Sequence, residues 1–90
     1  MIKLTWADVY ERVEEMGAAW ELKPGCKVWG IPRGGSIVAG IAGLKLGVDI
    51  VDSPESASIA IDDIIDSGAT ADALQAKYGL DTAALVNKDA

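Results

Sequence analysis

Four short apolar runs set the limits on what this chain can fold into. They occupy residues 26–31 (CKVWGI), 48–51 (VDIV), 59–65 (IAIDDII) and 82–86 (TAALV), and they are mostly unalternating. A strand exposed on one side alternates apolar with polar, whereas a strand covered on both sides reads as a continuous apolar run. Helical patterns separate these runs. From Thr5, residues Trp6, Val9, Tyr10, Val13, Met16 and Trp20 fall at steps of three and four, with Asp8, Glu11, Arg12, Glu14 and Glu15 on the other face. Thr5 and Asp8 make an S/T-x-x-D start, and Pro24-Gly25 marks the stop. Ile37, Val38, Ile41, Ala42, Leu44 and Leu46 are apolar nearly all round, which predicts a helix tucked under a sheet and closed by Gly47. Residues 70–78 suit a third helix ending at Gly79. The order α-β-α-β-β-α-β predicts one α/β domain over residues 1–90, a small parallel sheet of about four strands flanked by helices. Right-handed crossovers then bring the loops PRGGS and DSGAT together at the carboxyl ends of neighbouring strands, where open α/β sheets bind ligands.

Composition narrows the chemistry. The 90 residues include 14 acids and 8 bases, for a net charge of −6, and no histidine. Half the chain is apolar, which excludes a disordered acidic tail. Without histidine, zinc hydrolases and Ser-His-Asp triads are excluded, leaving carboxylates, lysine, arginine, backbone amides and hard cations. The basic residues are scattered and form no stripe that follows a phosphate backbone, so no nucleic-acid partner is expected. Cys26 stands alone, which fits a reducing cytoplasm. No segment approaches the roughly 20 apolar residues of a membrane span, and MIKLTWADVY lacks the core of a signal peptide. A domain this short buries only about 60% of its unfolded surface, so self-association is expected.

The chemistry concentrates in IAIDDIIDSGAT, residues 59–70. An apolar strand runs into Asp62 and Asp63, then Asp66, then a loop of small residues that opens a helix. Ser67, Gly68, Ala69 and Thr70 offer backbone N–H groups and two hydroxyls to one concavity, with the helix dipole behind them. That suits a phosphate. Unpaired carboxylates have no use in a core, but they accept hydrogen bonds from ribose hydroxyls and bind Mg²⁺ together with ligand oxygens. A phosphorylated sugar with Mg²⁺ satisfies all of these groups.

This segment resembles the 5-phosphoribosyl-1-pyrophosphate (PRPP) binding motif of the type I phosphoribosyltransferases, and IPRGGS resembles their pyrophosphate loop. The likeness is closest to the bacterial xanthine-guanine enzymes. It extends through LTWADVYERV, IPRGGSIVAGIAGLKLGV and LQAKYGLDTAALVNKDA, nearly the whole chain. The resemblance implies that Ser67, Gly68, Ala69 and Thr70 grip the 5′-phosphate, and that Asp62 and Asp63 face the ribose hydroxyls and Mg²⁺. It implies further that Asp66 is the proton partner of the base, that Arg33, Gly34 and Gly35 hold pyrophosphate, and that Lys88 contacts the purine's exocyclic oxygen. Trp6, Trp20 and Trp29 read as core or subunit contacts rather than base-stacking groups.

The sequence departs from the family at Gly68-Ala69, where the enzymes carry a glycine pair, and more heavily in two other places. Where the enzymes carry a long loop that closes over PRPP, this chain has about six residues, DSPESA at 52–57. The hood that covers the base has no counterpart before Ala90. Two readings of function follow. One is a reduced phosphoribosyltransferase that binds PRPP or a purine nucleotide and transfers phosphoribose to a base. The other is a non-catalytic binder that sequesters or senses a ribose-phosphate signal nucleotide, for example a phage anti-defence sponge. A third, a bare interaction module, leaves the clustered acids unexplained.

Overall fold

A computed structural model describes residues 5–32, 34–65 and 68–87. Helix α1 (Trp6–Ala19) is followed by strand β1 (Lys27–Gly30), helix α2 (Gly34–Leu46) and strand β2 (Asp49–Ile50). A 3₁₀ turn (Pro54–Ser56) then leads to strand β3 (Ile59–Ile65), helix α3 (Ala69–Tyr78) and strand β4 (Thr82–Asn87). The four strands form one all-parallel sheet in the order β2-β1-β3-β4. The fold is the α/β arrangement expected from the apolar runs.

The period of two along each strand divides the core. Val28, Ile59, Ile61, Ala83 and Leu85 pack with Val13 and Met16 of α1 and Val38, Ile41 and Ala42 of α2. Ile31 and Ala60 turn to the other face and meet Leu74 and Leu80, with Trp29 and Tyr78 partly buried against them. The chain thus steps from β1 through α2 to β2 at one edge, and from β3 through α3 to β4 at the other. Right-handed crossovers that step in opposite directions place their helices on opposite faces. The order reverses between β1 and β3.

Local signals fixed several ends. Thr5 accepts the Asp8 N–H at 3.1 Å and its own N–H donates to the Asp8 carboxylate at 3.0 Å, a complete capping box. Thr5→Ala is expected to cost about 1 kcal/mol in urea unfolding. Gly79, in the left-handed region at φ 69°, ends α3. Elsewhere the boundaries moved. α1 ends at Ala19, well before Pro24, because Glu21 takes φ 54° and the Leu22 N–H returns to the Gly17 carbonyl at 2.8 Å. α2 begins at Gly34 rather than after Ser36. β2 shrinks to two exposed residues because it is an edge strand paired only with β1. The other edge, β4, is partly covered by Arg12, whose guanidinium donates to the Leu85 carbonyl at 3.1 Å. No helix among the described residues is long and apolar enough to cross a membrane.

Candidate functional site

The strand order reverses between β1 and β3, and the carboxyl edge beside such a reversal is the position at which doubly wound sheets bind ligands. β1 and β3 are paired neighbours in register Val28↔Ile59 through Gly30↔Ile61, so the chain leaves two adjacent strands at this edge. The Ile31 N–H still reaches the Ile61 carbonyl at 2.8 Å before the chain turns at Pro32. α2 then starts hard against β3. A side-chain carbon at Gly35 would meet the backbone of Ile61, and one at Gly34 would meet the carboxylate of Asp63. Gly30 is equally confined, since its missing Cβ would lie 2.6 Å from the Gly35 carbonyl oxygen and 2.7 Å from Ser36 Cα. Three glycines therefore let β1, α2 and β3 meet without side chains between them, and Ser36 Oγ donates to the Gly30 carbonyl at 3.4 Å. Gly34 and Gly35 thus have a packing role besides the ligand role that the resemblance implies for them.

On the other side of β3 lies a cleft of about 130 Å³ lined by Asp62, Ile64, Gly68, Ala69, Thr70 and Thr82, among others. Gly68 takes φ 80° and caps α3 without a side-chain hydrogen bond, a conformation glycine adopts freely. The positive end of the α3 dipole adjoins the cleft. Asp72 in its first turn adds a favourable charge.

Asp62 and Asp63 stand at the point where β3 outruns β1. Both are half-buried. Asp62 Oδ1 accepts the Asp63 N–H and Asp63 Oδ1 accepts the Ile64 N–H, each at 2.8 Å. Asp62 lines the α3 cleft, whereas Asp63 lines a second, apolar groove of about 200 Å³ with Trp6, Ile37 and Leu85. The carboxyl of Asp62 is pushed up to about 6, first by burial, then by a hydrogen bond with the Asp63 carboxyl and repulsion from its charge; the Asp63 N–H works the other way. The pair therefore holds a proton more tightly than an ordinary carboxylate does. A divalent cation would relieve the same repulsion. Two oxygen-donor groups without nitrogen or sulfur fit Mg²⁺, with ligand and water oxygens completing the shell.

Of the residues singled out in the sequence, Gly34, Gly35, Asp62, Asp63, Gly68, Ala69 and Thr70 are brought to this edge of the sheet. Arg33, Asp66, Ser67 and Lys88 lie outside the described residues. Trp29 packs as expected, partly buried. Trp6 and Trp20 do not belong to the core, at 66% and 41% exposed. Thr82 was not anticipated. Its hydroxyl oxygen is buried at the cleft wall and finds no hydrogen-bond partner among the described residues. One signal pointed to it, a polar residue opening an otherwise apolar strand.

A scan against models of known protein families finds no match to this chain, and a search of curated proteins finds none either.

Proposed function

We propose that this protein binds a phosphoribosyl compound, PRPP or a purine nucleotide, at the carboxyl edge of the sheet, in the cleft between β3 and the start of α3, together with Mg²⁺. The observation that carries the reading is the topological reversal, which puts the opening of α3 and the Asp62–Asp63 pair at one edge. The phosphate would lie against Gly68, Ala69 and Thr70. Asp62 and Asp63 would take the ribose hydroxyls and the cation, as the resemblance of IAIDDIIDSGAT to a PRPP motif implies. Mg²⁺ would supply neutralisation between the carboxylates and the ligand phosphate. A cleft of about 130 Å³ is smaller than the roughly 300 Å³ at which drug-sized ligand sites begin. It therefore takes the ribose 5-phosphate end and leaves the base outside.

Binding without turnover is the reading the β2–β3 connection favours. The connection over residues 51–58 holds a tight 3₁₀ turn at Pro54–Ser56, with the Ala57 N–H on the Pro54 carbonyl at 3.2 Å and the Ser58 N–H on the Lys27 carbonyl at 2.8 Å. Such a turn cannot fold over a pocket, and phosphoribosyl transfer needs water kept from a cationic ribose. The cellular setting consistent with a free Cys26 is the reducing cytoplasm.

Calorimetry with Mg²⁺ tests the reading. PRPP, purine 5′-nucleotides and ribose 5-phosphate are expected to bind with Kd values on the order of micromolar and within about tenfold of one another. Chromatography of PRPP incubated with guanine, xanthine or hypoxanthine is expected to show no nucleotide. Absence of heat from all three ligand types would overturn the binding site; nucleotide formation would overturn the binder reading in favour of the enzyme.

A further inference from the structure

Helix α2, GGSIVAGIAGLKL, carries one charged residue, Lys45. A helix apolar around its circumference is ordinarily covered on every side. Sheet and α1 cover Val38, Ala39, Ile41 and Ala42, yet Ile37 is 59% exposed and Leu44 86%. These two lie seven residues apart, two turns along one face, with Gly40 between them. Nothing lies within 4 Å of where a Gly40 side chain would begin. Trp6 and the partly exposed Tyr10 border this stripe from α1, and Ile50 borders it beside Gly43.

We propose that a second copy of this chain covers this face, the two α2 helices crossing antiparallel at Gly40 about a two-fold axis. Ile37 then lies against Leu44 of the partner subunit, and the same contact recurs across the axis. Three observations select a second copy. The stripe Ile37–Gly40–Leu44 is nearly symmetric about its own midpoint, which is what an isologous contact requires. The five exposed apolar side chains present roughly 600 Å², most of the about 800 Å² that each partner brings to a stable interface. Charge points the same way. The chain carries −6, so most faces of two copies repel. At this one the Lys45 ammonium is matched by Glu14 at 2.7 Å and lies 5.2 Å from the Tyr10 ring centroid. The missing side chain at Gly40 lets the backbones approach. This inference does not depend on the ligand reading.

Sedimentation equilibrium of the full chain from about 1 to about 100 µM tests it. The wild type is expected at twice the 9.4 kDa chain mass. Leu44→Glu and Ile37→Glu each place two charges in the symmetric interface and are expected to weaken the dimer at least about 100-fold. Gly40→Trp adds bulk without charge, its Cβ meets nothing within 4 Å in its own subunit, and it should have the same effect. Circular dichroism of all three should match the wild type, since each site is open to solvent in the monomer. A wild-type chain that sediments at 9.4 kDa throughout, or a dimer that folded Leu44→Glu and Gly40→Trp leave unchanged, overturns the proposal.

Discussion

Gly35→Ala is expected to lower unfolding stability by at least about 3 kcal/mol, a large part of the 5–15 kcal/mol that holds a domain of this kind together. The new carbon has no room. Besides the Ile61 carbonyl oxygen, it would face Asp62 Cα at 3.1 Å and Ile61 carbonyl carbon at 3.2 Å, all backbone atoms of the central strand. Backbone cannot rotate away as a side chain does, so either α2 lifts off β3 or the β1–β3 ladder shifts. Both disrupt the cluster around Ile61 and Val38. Gly30→Ala should cost nearly as much, since its obstacles are the Gly35 carbonyl and Ser36 Cα. Gly43→Ala supplies the contrast. It lies in the same helix and gains helix propensity, and the nearest obstacle, 3.1 Å away, is the tip of the Ile50 side chain, which is 54% exposed. Its expected change is within about 1 kcal/mol of zero. Urea unfolding of the three variants reads the difference, and a Gly35→Ala midpoint equal to that of Gly43→Ala would show that α2 does not depend on this close approach. Because Gly34 abuts the Asp63 carboxylate in the same turn, the helix start and the acidic pair share one geometry. Partial unfolding there should weaken ligand binding too.

The architecture was legible in the sequence because burial on both faces leaves a pattern that needs no tertiary information. Runs such as IAIDDII and the Thr5–Asp8 start announce themselves. Positions set by three-dimensional approach were not legible. The GGS at 34–36 reads locally as a break, yet it forms the first turn of α2, because close contact with β3 outweighs the cost of glycine in a helix. Arg12 looked like one more solvated charge, and its bond to the Leu85 carbonyl spans 73 residues. Trp6 and Trp20 had the spacing of core residues, but helical spacing defines a face without saying how wide a strip of it the sheet will cover. The acids of the DD pair were visible as a pair. Their unequal surroundings, one in the α3 cleft and one in the groove beside Gly34, depend on where the helices lie.

Asp62→Asn is expected to make the protein more stable and a worse binder. At pH 7 the folded chain holds Asp62 ionised, half-buried and against Asp63, with its carboxyl raised from 3.8 to about 6. In the unfolded chain the carboxyl titrates near 3.8. A folded value above the unfolded one means that protonation favours folding. The contribution is fully present below about 3.8, shrinks as pH rises, and is gone above about 6. Metal-free stability should therefore increase as pH falls from 7 toward 4, by about 1 to 2 kcal/mol once partial solvent screening is allowed for. Asp8 opposes this trend only lower down, because its hydrogen bonds to Thr5 hold its carboxyl below 3.8 and are lost on protonation there. Between pH 4 and 6 the slope therefore carries the Asp62 contribution. Asparagine keeps an oxygen for the Asp63 N–H and removes the charge. The variant should gain about 1 to 2 kcal/mol at pH 7, raise Tm by several degrees, and flatten the slope between pH 4 and 6. On the proposed reading, the same change in the presence of Mg²⁺ should weaken ribose 5-phosphate and PRPP at least about tenfold, because the cation and the ribose would lose an anionic oxygen donor. Opposite signs for stability and binding are what a site held under electrostatic strain for its ligand gives. A variant that loses stability at pH 7 would make the pair a structural element, and one that keeps wild-type affinity would remove Asp62 from the site.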